Sequence, residues 1–288
     1  MPELPEVETV MRGLAPTLTG ATIARVRLNR PDLRFPFPKG FANALAGRRI
    51  TDLSRRAKYI LADTSDGQVL ILHLGMTGRF VIERPDGART PGEFYYDHPR
   101  DTAHDHVVFE LEGGARVIYN DPRRFGFMDL TPRATLGEHR SFKGLGIEPL
   151  GNALTGEKLL DLFEGKAANF KAALMDQRLI AGLGNIYVCE ALLRAKLTPE
   201  RPAGSLTPGE ATRLADDIRT ILGEAVALGG STISDFVHAD GASGAFQERF
   251  AVYDREGEPC DTCLTPITRV VHSNRSTFFC ARCQPRGA

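Results

Sequence analysis

No apolar run in this 288-residue sequence approaches the ~18 residues that a membrane-spanning helix needs, which excludes a helical membrane protein. An export signal is missing as well. Pro2, Glu3, Pro5, Glu6 and Glu8 stand where such a signal would carry positive charge and then an apolar stretch, so a cytoplasmic protein is expected. Neither charge sign is in excess. The 36 basic residues meet 36 acidic ones, without the basic balance usual in nucleic-acid binders. Cysteine is scarce, at five residues, and neither internal repeats nor low-complexity tracts occur. What remains, with 42% hydrophobic and 25% charged residues, is an ordinary globular composition long enough for two domains.

The neutral total hides local clusters. Arg48, Arg49, Arg55, Arg56 and Lys58 stand against one acid, Asp52, and the chain from Thr262 onward carries four arginines and no acid. Either cluster alone reads as a solvated face. Both flank motifs with chemistry in them.

The chain opens with a helical pattern. Pro5 suits the first turn, Glu6 and Glu8 suit the positive end of the dipole, and Val7, Val10, Met11 and Leu14 share a face that Gly13 and Pro16 bring to a close. Strands rich in β-branched and aromatic residues are then expected over 22–28, 68–74, 79–82, 106–111, 116–119 and 125–130, with turns at Asp66-Gly67 and Glu112-Gly113-Gly114. This half should be a β-sandwich with one N-terminal helix. A Gly- and Pro-rich linker leads to helical patterns over 156–163, 170–179, 185–195 and 208–227, the last capped by Thr207 and ended by Gly229-Gly230. A hairpin-like stretch closes the chain, giving an α+β class.

Cys260, Cys263, Cys280 and Cys283 are spaced C-x2-C-x16-C-x2-C. Each pair turns two thiolates toward one point, and two pairs complete a tetrahedron around Zn2+. Four cysteines fill that coordination, so one structural zinc is expected, holding a hairpin whose turn, 273–276, carries Arg275. Disulfides are disfavoured in a cytoplasmic chain, and Cys189, in a predicted helix, reads as a small buried apolar residue.

If Met1 is removed, Pro2 presents a secondary amine able to attack a sugar C1′ and form an iminium ion. An α-amino group titrates near ~7.7–8.0, so part of it is neutral at pH 7. Glu3 and Glu6 stand close enough in sequence to act as acid or base. On spacing alone, the plainer reading is a proline start and dipole glutamates of an ordinary helix.

The stretch Met-Pro-Glu-Leu-Pro-Glu-Val-Glu-Thr-Val alters that balance. It resembles the N-terminus of the formamidopyrimidine-DNA glycosylases, bacterial enzymes that excise 8-oxoguanine and ring-opened purines. The resemblance recurs in order at 55–59, at His73-Leu74-Gly75-Met76-Thr77-Gly78, at 104–107, at Asp121-Pro122-Arg123-Arg124-Phe125-Gly126, at 174–176, at Gly182-Leu183-Gly184-Asn185-Ile186-Tyr187 and in the four-cysteine finger with Arg275. It implies an N-terminal β-sandwich over 1–131, a linker over 132–152, a helix–two-turns–helix domain over 153–250 and a zinc finger over 251–288. It further implies a bacterial, monomeric enzyme acting on double-stranded DNA that contains oxidised purines.

The resemblance also assigns roles. Pro2 would be the Schiff-base nucleophile and Glu3 the proton donor, with Glu6 supporting it. Lys58 and Arg275 would serve the two eliminations at the abasic sugar. Met76, Arg123 and Phe125 would fill the gap left by the extruded nucleotide, and His104, Lys166, Lys171 and Asn185 would contact the DNA backbone. Residues 229–246 would form a loop over the flipped base. His104 and His106 could suggest a metal pair, but no third ligand accompanies them. Two other readings stand beside this one: an endonuclease VIII-like glycosylase for oxidised pyrimidines, which would usually begin Pro-Glu-Gly-Pro-Glu, and a non-catalytic zinc-finger damage binder, which would not need Pro2, Glu3 and Lys58 together. A dinucleotide site at Gly182-Leu183-Gly184 is excluded by the missing third glycine and the missing preceding strand.

Overall fold

In the computed structural model the chain divides into two compact units, Met1–Lys143 with Leu228–Ala245, and Gly144–Ala227 with Phe246–Ala288. The structure describes residues 2–84, 101–231 and 245–286. No helix among these is long and apolar enough to cross a membrane.

The first unit opens with α1 (Leu4–Leu18), capped at Glu3. The helix runs through Gly13 and Pro16, where it was expected to stop. Its buried stripe of Leu4, Val7, Val10, Leu14 and Leu18 explains why. A proline near the end of a helix removes one N–H bond, and burial of Leu18 against the core offsets that loss.

There follow β1 (Ile23–Leu28), α2 (Phe41–Leu45), β2 (Ile50–Arg56), β3 (Tyr59–Thr64), β4 (Gln68–His73), β5 (Arg79–Glu83), β6 (Asp105–Leu111), β7 (Arg116–Asn120) and β8 (Phe127–Pro132). They form two antiparallel sheets, β1-β6-β7-β5 and β2-β3-β4-β8. Because side chains alternate along a strand, one set, including Val26, Ile60, Leu72, Val107 and Val117, packs with α1 into a single core. The expected β-sandwich with its helix is what forms. β2, β3 and α2 are additions: the arginine-rich run that reads as a charged face also supplies Ile50 and Leu53 to the core. The second sheet buries its other face too. Leu61, Val69, Ile71 and Phe127 are covered there by Leu136 and Phe142, from a segment that the sequence marks as linker.

The second unit contains α3 (Gly156–Phe163), α4 (Phe170–Met175), α5 (Asn185–Arg194) and α6 (Pro208–Ala227), then the hairpin β9 (Thr268–His272) and β10 (Arg275–Phe279). α4 ends earlier than its pattern suggests because Gln177 knots the next turn. Its amide donates to the carbonyls of Met175 (3.1 Å) and Leu183 (2.8 Å) and accepts the N–H of Gly182 (2.8 Å). That knot fixes where α5 begins. Strands β9 and β10 pair from Arg275 opposite His272, leaving only Ser273 (φ 49°) and Asn274 (φ 61°) in the turn. Two successive left-handed residues make the tight connection that matches strand twist.

Candidate functional site

At the head of α1, Pro2, Glu3 and Glu6 are all buried. Glu6 uses both carboxylate oxygens. Oε2 accepts the Glu3 N–H (2.8 Å), while Oε1 accepts the N–H (2.8 Å) and hydroxyl (3.0 Å) of Ser231. One side chain thus joins the helix start to the segment after α6. Arg55 makes a second tie. It donates to Glu8 of α1 (2.8 Å) and to the carbonyl of Ala57 (2.9 Å), in the two-residue turn that carries Lys58. Lys58 is only 8% exposed.

Two loops meet at the adjoining ends of β4 and β8. Gly75 (φ 67°) lies against the backbone of Phe125 and Gly126, and a Cβ at Gly75 would overlap both. Glycine is required there for the close approach as well as for the backbone angle. Behind the contact sits Asp121, 0% exposed. Its Oδ1 accepts the Thr77 hydroxyl (2.6 Å), and its Oδ2 accepts the Gly126 N–H (2.9 Å) and the Tyr119 hydroxyl (3.1 Å). The Thr77 oxygen accepts the Arg123 N–H in turn (3.3 Å). Burial, followed by the Asp121 charge, pushes the Tyr119 phenol well up, so it remains a donor.

His73, stacked on Phe127 at 5.2 Å, accepts the Gly75 N–H at Nδ1 (3.1 Å). Burial, reinforced by the charges of Lys58 and Arg34, holds its pKa down at about 4, so the ring is neutral and free to accept. Beyond this frame, Met76 is half-buried, Phe125 is 43% exposed, and the Arg123 guanidinium lies 4.8 Å from the Phe125 ring centre. His104 falls in a 3-10 turn before β6 rather than on the strand, with Nε2 3.4 Å from Asp101.

In the second unit the Sγ atoms of Cys260, Cys263, Cys280 and Cys283 all lie within 4.8 Å of one another, with Cys263–Cys280 at 3.4 Å and Cys260–Cys283 at 3.9 Å. A tetrahedron with Zn–S bonds of ~2.3 Å has S···S edges of about 3.8 Å, so the four thiolates fit one zinc and are too far apart for disulfides. With four protein ligands the metal holds structure and leaves no open position. Three of the side chains that tie the finger to the helical region are buried or half-buried. Asn185 donates to the Ser276 carbonyl (2.9 Å), Gln284 bridges the Cys280 N–H (2.9 Å) and the Leu197 carbonyl (2.8 Å), and Glu190 accepts the N–H groups of Ala251, Val252 and Tyr253 at 2.8–3.0 Å. Arg275 is exposed one residue before the Ser276 carbonyl that Asn185 holds.

Family models cover most of the chain. Residues 1–128 match the formamidopyrimidine-DNA glycosylase N-terminal domain, 145–237 its H2TH domain, and 257–286 the zinc finger found in Fpg and isoleucyl-tRNA synthetase. The formamidopyrimidine-DNA glycosylase of Methylobacterium nodulans is 60% identical over 295 residues, covering 99% of both chains. The chain belongs to the formamidopyrimidine-DNA glycosylase family. The enzyme of Rhizobium meliloti is 56% identical, with 99% of this chain and 100% of that one covered. Among solved structures, the Fpg protein of Thermus thermophilus matches with a TM-score of 0.85 at 41% identity over 100% of both chains. A Lactococcus lactis Fpg in complex with DNA containing N7-benzyl-Fapy-dG matches with a TM-score of 0.86 at 33% identity, covering 99% of this chain and 100% of that one. This protein is therefore a base-excision-repair glycosylase with abasic-site lyase activity, and DNA is its partner.

Within the glycosylase, Lys166 is half-buried in the loop after α3, its backbone bonded to Phe163 and Gly204. Lys171 lies inside, contrary to its expected exposure to DNA. It is 2% exposed and donates to the Asn185 carbonyl (3.1 Å) and Cys189 Sγ (2.9 Å), so it braces the first turn of α5. Asn185 likewise directs its side-chain amide at the finger. Of the loop expected over the damaged base, residues 232–244 lie outside the described residues. Arg55, Asp121 and Glu190 make ties for which the family resemblance implies no role. Glu190 carried a usable signal, a lone acid within the apolar stretch Ile186–Leu192 of a helix, and such a group is either paired or costly.

Proposed function

We propose that this glycosylase removes oxidised purines, 8-oxoguanine and formamidopyrimidines, from double-stranded DNA, acting as a monomer with Pro2 as nucleophile. Once Met1 is gone, the Pro2 nitrogen attacks C1′ as the glycosidic bond breaks and its electron pair leaves with the base. Glu3 delivers a proton to O4′, the sugar ring opens, and the amine that has lost its own proton becomes an iminium ion. A secondary amine has no further proton to lose, so the cation persists as an electron sink. Loss of a C2′ proton then breaks the 3′ C–O bond, a second elimination breaks the 5′ C–O bond, and water releases Pro2. Lys58 and Arg275 stabilise the departing phosphates as fixed cations.

A base inside the duplex is unreachable and must be extruded. Met76 and Phe125 fill the gap as apolar wedges, and Arg123 bonds the orphaned cytosine. His104 and Lys166 hold the backbone, and at Asn185 the main-chain N–H groups that open α5, rather than the side chain, face a phosphate. The observation that carries this reading is the burial of Pro2, Glu3 and Glu6 together. First-turn glutamates that serve only a helix dipole stay in water.

The test is borohydride trapping on a duplex with one 8-oxoguanine opposite cytosine, followed by mass spectrometry of the N-terminal peptide. An adduct on Pro2 is expected, and none from protein that retains Met1. A Lactococcus lactis Fpg structure holds DNA with an oxidised pyrimidine, so a second duplex carries such a lesion. Trapping on that duplex alone would overturn the purine assignment, and an adduct on another residue would overturn Pro2.

A further inference from the structure

We propose that Asp121 and Thr77 are positioning residues that bind the two wedge-bearing loops into one rigid tool, so that Met76, Arg123 and Phe125 enter the duplex together. The inference rests on the wedge role proposed above and adds the part of the protein that makes the wedge stiff. Extruding a nucleotide costs a few kcal/mol of stacking and pairing, and the gap closes again unless something holds it open. A side chain on a loose loop is poorly suited to that, because each insertion would have to order its own backbone.

Here the two loops are separated by more than forty residues in sequence, with Thr77 and Asp121 44 apart, yet they share one fully buried carboxylate. The Met76 loop contributes the Thr77 hydroxyl, and the Phe125 loop contributes the Gly126 N–H. Tyr119, beneath both, contributes its own hydroxyl. Thr77 works in both directions: its single proton goes to Asp121, and its oxygen receives the Arg123 N–H. The wedge residues are therefore next to the fixed points, Met76 beside Thr77 and Phe125 beside Gly126. The chemistry is demanding. Three donors converge on Asp121, so both of its oxygens must accept, and an amide in its place would turn a donor toward donors. At Thr77 a hydroxyl is needed, and a methyl of the same size can neither give nor receive the bond.

The experiment compares Thr77→Val with Thr77→Ser under single-turnover conditions on two duplexes, one with 8-oxoguanine and one with a preformed abasic site, which has no base to extrude. Thr77→Val should slow excision of the base by about tenfold or more, the effect of losing the bond to the Asp121 carboxylate and the weaker one from the Arg123 N–H at the extrusion step. Cleavage at the abasic site should change by less than about twofold, and Thr77→Ser should restore excision to within about twofold. Fluorescence of 2-aminopurine placed beside the lesion should show the unstacking phase slowed in step with excision. Equal losses on both duplexes that track a lower melting temperature would make Thr77 merely structural and overturn the inference, as would unimpaired excision by Thr77→Val.

Asp121→Asn should reproduce the Thr77→Val pattern, and the double variant should be no worse than Asp121→Asn alone. Additive losses would separate the two residues and overturn the shared tool. If Asp121→Asn does not fold, the Thr77 pair decides by itself. Wild-type protein that turns over neither duplex counts against the proposed function, whereas active wild-type protein beside an unimpaired Thr77→Val counts against the coupling alone.

Discussion

His73 shows how a single half-buried ring makes the protein sensitive to acid. Folded, it takes up a proton only near pH 4, against an ordinary value of 6.5. Above pH 6.5 the ring is neutral in both folded and unfolded chains and contributes nothing to the difference. Between pH 6.5 and 4 the unfolded chain binds a proton that the folded chain refuses, so stability should fall by up to about 3 kcal/mol across that window and level off below it. Urea midpoints from pH 7.5 to 4.5 measure this. His73→Asn, which keeps an acceptor near the Nδ1 position and cannot titrate, should give a flatter profile, and parallel profiles would assign the acid sensitivity elsewhere. At this scale the sequence singles out residues that stand in a contiguous motif, as Pro2, Glu3, Glu6 and Lys58 do, and the structure buries all four. Asp121 also stands in such a motif, but its task was hidden because its partner Thr77 is 44 positions away.

Elements were legible where one periodicity dominates and misleading where two requirements overlap. Strand β6 and helix α6 follow their patterns closely. β2 did not announce itself because Arg55 and Arg56 share the strand with Ile50 and Leu53, and Arg55 is spent on the joint with α1. Helix α5 shows the same overlap. Its Glu190 is buried, and burial pushes the carboxyl up although three N–H groups pull it down. Glu190→Ala should leave those three N–H groups of residues 251–253 without their acceptor and cost about 3 kcal/mol or more, with Glu190→Gln losing less because one oxygen remains. Chemical denaturation checks the order of the two variants. A cost below that of an ordinary exposed substitution for Glu190→Ala would show that the tie between α5 and the finger is dispensable.

The chain folds as two compact units rather than one, and the zinc site belongs to the second. Cys260 and Cys280 pack with Cys189, Val252, Ile267 and Phe278, so removing the metal should loosen the finger and the α5 surface beneath it. The sandwich has its own core and should be spared. Calorimetry after chelation, or of Cys260→Ser, should show one transition lowered and the other unmoved, with duplex affinity lost. A single transition that falls as a whole would contradict two units that unfold separately. The boundary falls between Lys143 and Gly144, inside the expected linker, because Leu136 and Phe142 have apolar partners on the sheet. Leu228–Ala245 group with the first unit, and within it the bond from the Ser231 N–H to Glu6 spans 225 positions. No local pattern carries that information.

The contact between Gly75 and the Phe125–Gly126 backbone also bears on how such a protein can vary. Main chain rests on main chain there, so the tips beyond it keep their place whatever side chains they bear. On the wedge role proposed above, exchanging Met76, Arg123 or Phe125 alters what is presented to the opposite strand without moving the support. Preference for the opposite base is then open to drift by single substitutions at three sites, while any side chain at position 75 closes that route at once.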